Sequence, residues 1–152
     1  MDNKIVLDSC VFNKLFLQEP ETDTAIALIN HLTAKPYEIF APNLFLYEVL
    51  AIAKVNKVDT QQIYAIIVKL QNLGLQLIEL NPVIIEKSLT ICDVGHDKSG
   101  FPSFYDAVYH TLAILNNCYF FKTSQLGNIV LLKDWENILT HSSRAIAYCK
   151  VC

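Results

Sequence analysis

The sequence predicts an α/β fold, a three-layer α/β/α sandwich around a mainly parallel sheet of roughly five strands. Three observations carry this. Runs such as Ile5-Val6-Leu7 are apolar without polar alternation, which suits strands buried on both faces of a parallel sheet. Between them lie longer segments with apolar residues three and four apart, the spacing of helices that bury one face. Strands and helices alternate along the chain, as crossover connections require. With 152 residues the chain is long enough for one domain with a full-sized core.

The elements follow in order. Lys4 to Leu7 is the first strand, and Asp8-Ser9 follows at once. Val11 to Leu17 is expected as a short helix stopped near Pro20. Glu21 to Leu32 carries a helical stripe of Ala25, Ile26, Leu28, Ile29 and Leu32. Tyr37 to Ala41 is the second strand. Pro42-Asn43 starts the next helix, Leu44 to Val55, with Asn43 as its cap. Asp59 caps Thr60 to Leu73, whose stripe is Ile63, Ile66, Ile67, Leu70 and Leu73, and Gly74 ends it. Leu75 to Leu80 is strand-like. Asn81-Pro82 opens a helix with Pro at its first position, running to about Cys92. Asp93 to Pro102 reads as a polar loop, and Ser103 to Leu115 as a helix. Cys118 to Phe121 and Ile129 to Leu132 are the last strands, and Trp135 to Thr140 a final short helix. The expected organisation is one domain over 1–140 and a tail over 141–152.

Composition narrows the function. The chain is 53% hydrophobic and 18% charged, so it is globular rather than disordered. A net charge of −3 gives no global attraction to nucleic acid or an anionic membrane, so any nucleic-acid groove must be local. Arg144 is the one arginine, which leaves phosphate contacts mostly to lysines. No apolar stretch is long enough to span a bilayer and no signal peptide is recognisable, so a cytoplasmic protein is expected. Five cysteines (Cys10, Cys92, Cys118, Cys149 and Cys152), odd in number and without a leader, argue for free thiols.

Three acids stand out. Asp8 ends the first strand, where ligand crevices of open α/β sheets lie, although a carboxylate there also suits a helix cap. Glu48 is the one charge between Asn43 and Lys54. A buried carboxylate costs several kcal/mol unless a cation or donors satisfy it, so Glu48 lies either on a narrow exposed stripe or in a site. Asp106, in Ser103-Phe104-Tyr105-Asp106, has capping-box spacing, and a helix N-terminus also favours the ionised carboxylate that a metal needs. If the three converge at the sheet edge, their oxygens suit hard Mg²⁺ or Mn²⁺ and phosphodiester hydrolysis.

In order and spacing, Ile5-Val6-Leu7-Asp8-Ser9-Cys10-Val11, Pro42-Asn43-Leu44-Phe45-Leu46-Tyr47-Glu48-Val49-Leu50 and Phe104-Tyr105-Asp106-Ala107-Val108-Tyr109-His110-Thr111-Leu112-Ala113 resemble the PIN-domain ribonucleases. The likeness extends through Leu126 to Trp135. Many small single-domain members look like the VapC toxin half of a toxin–antitoxin pair. The resemblance implies a PIN-like α/β/α sandwich, an acidic Mg²⁺ or Mn²⁺ site, metal-dependent endoribonuclease activity on RNA, a homodimer and inhibition by a small antitoxin. Asp8, Glu48 and Asp106 match the family's first three acids as catalytic residues and metal ligands. Glu48 serves either as a ligand or as the base that orients water. Ser9 matches the small hydroxyl beside the first acid, and Thr123 the threonine after the fourth strand. The fourth acid does not carry over: Thr123-Ser124-Gln125 stands where the family has Thr-x-Asp. The alternative is therefore a catalytically degenerate PIN-like module that binds RNA or protein. A haloacid-dehalogenase-like phosphatase is disfavoured, because Cys10 stands where its second Asp belongs.

Other features read as structural. His110 lies one turn after Asp106 and reads as a packed residue. His96 and Asp97 belong to a solvated loop. Cys149-x-x-Cys152 lacks a second pair for a zinc site.

Overall fold

The computed structural model describes residues 3–94, 101–123 and 129–132. The elements run β1 (Lys4–Leu7), α1 (Ser9–Asn13), α2 (Thr22–Thr33), β2 (Glu38–Pro42), α3 (Leu44–Val55), α4 (Thr60–Asn72), β3 (Leu75–Ile78), α5 (Pro82–Cys92), α6 (Phe104–Leu115), β4 (Tyr119–Thr123) and β5 (Ile129–Leu132). The expected final helix, Trp135 to Thr140, the tail over 141–152 and most of the polar loop lie outside the described residues.

The five strands form one sheet in the order β3-β2-β1-β4-β5. β1 pairs in parallel with β2 and with β4, and β2 with β3, while β5 runs antiparallel to β4. The chain thus builds outward from β1 to β3, then crosses to the other side of β1. That reversal puts a topological switch point at the carboxyl ends of β1 and β4, where α/β sheets open a ligand crevice. Asp8 stands there, and its N–H donates to the Phe121 carbonyl at 3.0 Å.

Successive residues of a strand face opposite sides, yet Ile5, Val6 and Leu7 are all buried, so both faces of the sheet are covered. α6 packs across β1, β2 and β4, and α5 packs on α6; α1, α3 and α4 pack in sequence beside β4, β2 and β3. Aromatic rings fix these helices. Phe12 of α1 meets Phe45 of α3 edge-on at 5.4 Å. Tyr109 of α6 stacks on Phe120 of β4 at 6.1 Å. All four are buried.

Four of the six described helices start on a side-chain cap, whereas α2, after Glu21, and α3 do not. Asp8, Asp59, Asn81 and Ser103 each accept a hydrogen bond from a first-turn N–H. Asn43 does not, since its backbone is already helical and its side-chain amide donates to Glu79. α1 begins at Ser9, two residues earlier than expected, because Asp8 caps it. On α4 the stripe is narrower than expected: Ile63, Ile67 and Leu70 are buried, whereas Ile66 and Leu73 are exposed. Among the described residues no helix is long and apolar enough to cross a membrane.

Candidate active site

Asp8, Glu48 and Asp106, far apart in sequence, line one cavity of about 620 Å³. Each is placed by a different element. Asp8 leaves β1 at the switch point. Glu48 lies three residues beyond the anchored Phe45 on α3, and Asp106 three residues before the anchored Tyr109 on α6. Ser9, Cys10, Tyr47, Ser103, Tyr105 and Tyr109 also line the cavity.

Asp8 and Asp106 both take part in helix-start hydrogen bonds and both line the cavity. Asp8 Oδ1 accepts from the Cys10 N–H at 3.0 Å and from the Ser9 hydroxyl at 3.4 Å. The Ser103 hydroxyl accepts from the Asp106 N–H at 3.1 Å and donates to Asp106 Oδ2 at 3.0 Å. Glu48 is half-buried rather than on an exposed stripe. Its Oε2 accepts from the Tyr109 hydroxyl at 2.5 Å.

Burial sets the electrostatics. It pushes the Asp8 carboxyl up from its ordinary 3.8 to about 7. The Cys10 N–H pulls against this, Asp106 and Glu48 push further up, and Lys122 pulls down. Burial likewise raises Glu48, while the Tyr109 and Ser9 hydroxyls offset part of the rise. The Tyr109 phenol is pushed well above 10, first by burial and then by the charges of Asp8 and Glu48. It therefore remains a proton donor to Glu48.

These oxygens are the right donors for a hard divalent ion. Among the described residues no three His, Cys, Asp or Glu side chains are gathered closely enough to hold a metal ion by themselves. Mg²⁺ does not require three, since it usually binds one or two protein carboxylates and completes its shell with waters and substrate phosphates. Asp8 Oδ2 and Asp106 Oδ1 accept no hydrogen bond from the described residues, so each has an oxygen to offer.

Of the supporting residues, Ser9 is in the cavity wall. Thr123 is buried at the end of β4, paired with Ile129, and does not line the cavity. Gln125, His96 and Asp97 lie outside the described residues. His110 is packed, as expected, with its ring edge-on to Phe120 at 5.2 Å. Burial, then Lys122, holds its imidazole well below 6.5. Cys92 and Cys118 take part in no disulfide among the described residues, whereas Cys149 and Cys152 lie outside them.

Tyr109 is the residue that sequence reasoning missed. Its position one turn after Asp106 was visible, but there it is indistinguishable from a core aromatic. Its partner lies 61 residues upstream.

The family model described as PIN domain matches residues 5–124. Among solved structures, VapC20 of Mycobacterium tuberculosis, described as a sarcin-ricin loop cleaving toxin, superposes with a TM-score of 0.60 at 18% identity. The match covers 75% of this chain and 84% of that one, and at this identity it is a likeness of fold. No curated protein matches. The family match spans most of the chain and starts within β1 and ends just beyond β4, the two strands that frame the switch point, and on this evidence the chain belongs to the PIN-domain family.

Proposed function

We propose that the chain is a metal-dependent endoribonuclease and the toxin half of a toxin–antitoxin pair. One observation carries this reading: Asp8, Glu48 and Asp106, from three separate elements, meet in one cavity at the sheet's switch point. Family membership supports it, as does the fold shared with a sarcin-ricin loop cleaving toxin.

In this reading Asp8 and Asp106 hold Mg²⁺ or Mn²⁺, as carboxylates set at a strand end and a helix start. The ion, when bound, lowers the pKa of a water and neutralises charge on the phosphate. Glu48 completes the acid set. Ser9 supports Asp8. Tyr47 and Tyr105, 73% and 60% exposed on the cavity wall, offer ring faces on which unpaired bases stack. Exposed Lys54, near the end of α3, supplies local positive charge for the RNA backbone that a net charge of −3 does not. A small antitoxin protein, a homodimer and a cytoplasmic setting complete the proposal.

The test is cleavage of a panel of single-stranded and hairpin RNA oligonucleotides with Mn²⁺ or Mg²⁺. Asp8→Asn is expected to lose activity by about 10²–10⁴-fold with an unchanged circular-dichroism spectrum. Undiminished cleavage by that variant contradicts the reading. One observation favours a second reading, a PIN-like module that binds without cutting: no three-ligand group exists among the described residues. That module shows RNA or protein binding but no metal-dependent cleavage by the wild type.

A further inference from the structure

The three acids are not held alike. Asp8 and Asp106 are short side chains braced at helix starts by neighbours in sequence, the Cys10 N–H with the Ser9 hydroxyl and the Ser103 hydroxyl respectively. Glu48 is longer, lies within a helix, and has more rotamer freedom to lose. Beside the Ser9 hydroxyl, what fixes it is a phenol from another element. The Tyr109 hydroxyl donates to Oε2 at 2.5 Å, a length typical of hydroxyl–carboxylate bonds. The donor is itself immobile, since Tyr109 is 1% exposed and its ring stacks on Phe120 with planes 5° apart. One lone pair of Oε2 is thereby taken, which disfavours bidentate ligation by Glu48.

We infer that Tyr109 is a positioning residue that keeps Glu48 out of the metal shell and dedicates Oε1 to the proton of the attacking water, so that Asp8 and Asp106 are the two protein ligands. The inference rests on the ribonuclease reading and decides between the two roles that the sequence left open for Glu48. It agrees with the spacing of the acids, which forms no three-ligand group among the described residues. The proton passes from water to Glu48 Oε1 as the water oxygen bonds to phosphorus, and the leaving ribose oxygen departs with the electron pair of the broken bond.

The experiment uses the full chain, freed of metal and titrated with Mn²⁺ alone by calorimetry, beside steady-state cleavage of the best RNA oligonucleotide. Asp106→Asn is expected to lose Mn²⁺ affinity by about tenfold or more. Glu48→Gln and Tyr109→Phe are expected to keep the Mn²⁺ Kd within about threefold while kcat falls by about tenfold or more, with KM unchanged. A merely structural tyrosine would lower Tm without splitting kcat from Kd. Loss of Mn²⁺ affinity in Glu48→Gln to the level of Asp106→Asn overturns the inference, as does an unchanged kcat in Tyr109→Phe. Should Tyr109→Phe fail to fold, Glu48→Gln, which leaves the ring stack in place, still overturns the inference if its Mn²⁺ affinity falls to the level of Asp106→Asn. A wild type that binds Mn²⁺ and cleaves RNA beside an indifferent Tyr109→Phe defeats this inference only. A wild type that does neither defeats the ribonuclease reading and this inference with it.

Discussion

Asp8 is at once a helix cap and, in the proposed site, a metal ligand. Its carboxylate caps α1 through the Cys10 N–H and also faces the cavity, and the two roles share one geometry. The second role costs stability. In the metal-free protein the gap between the ordinary 3.8 and about 7 corresponds to roughly 4 kcal/mol once Asp8 is ionised. The sign follows from proton counts. Between pH 3.8 and about 7 the folded chain holds a proton on Asp8 that the unfolded chain has released, so this contribution falls as pH rises. His110 acts oppositely: its folded pKa lies below 6.5, so its contribution is present above 6.5 and is lost as pH falls. The two slopes overlap, and a substitution separates them. In chelator, Asp8→Asn is expected to raise Tm by roughly 5–10 °C at pH 8, with the gain over wild type shrinking toward pH 4. A gain independent of pH contradicts the assignment. The three acids were legible as candidates, Asp8 from its place at a strand end, Glu48 as the one charge in an apolar helix and Asp106 from its place at a helix start. Their partners were not, since the Tyr109 bond to Glu48 joins α6 to α3 and exists only after folding.

At the scale of elements, legibility followed how local the determinant is. α3 was read to the residue, Leu44 to Val55, because Pro42-Asn43 opens an apolar run interrupted only by Glu48 before Lys54. The cap of α4 by Asp59 was legible for the same reason. Asn43 was misread because Glu79, brought close in the fold, competes for its side chain. Ile66 and Leu73 were misread because periodicity marks an apolar stripe without saying how much of it a neighbour covers. Gly74 is the clearest local determinant. Its φ is +119°, and a Cβ there would lie 2.6 Å from the Tyr37 carbonyl oxygen. Its own carbonyl accepts from the Ile39 N–H at 3.0 Å, so this turn places β3 beside β2. Gly74→Ala is expected to cost about 1–3 kcal/mol, seen in a urea melt as a lower midpoint at constant m. An unchanged midpoint would show that the turn relaxes.

Across the whole molecule, the place of the candidate site follows from topology. Building β1 to β3 outward and then crossing to β4 leaves the end of β1 open, and the aromatic contacts of α1 with α3 and of α6 with β4 bring two further acids to it. The α/β class was legible from alternation alone, whereas the antiparallel edge made by β5 was not specified by its apolar run. The account stands on Asp8 and Asp106 acting together as one metal site, and the most direct test is Mn²⁺ calorimetry on the wild type beside Asp106→Asn. Micromolar to millimolar binding by the wild type, lost in the variant, is the result the account predicts. Binding that survives Asp106→Asn, or no binding by the wild type, would contradict it.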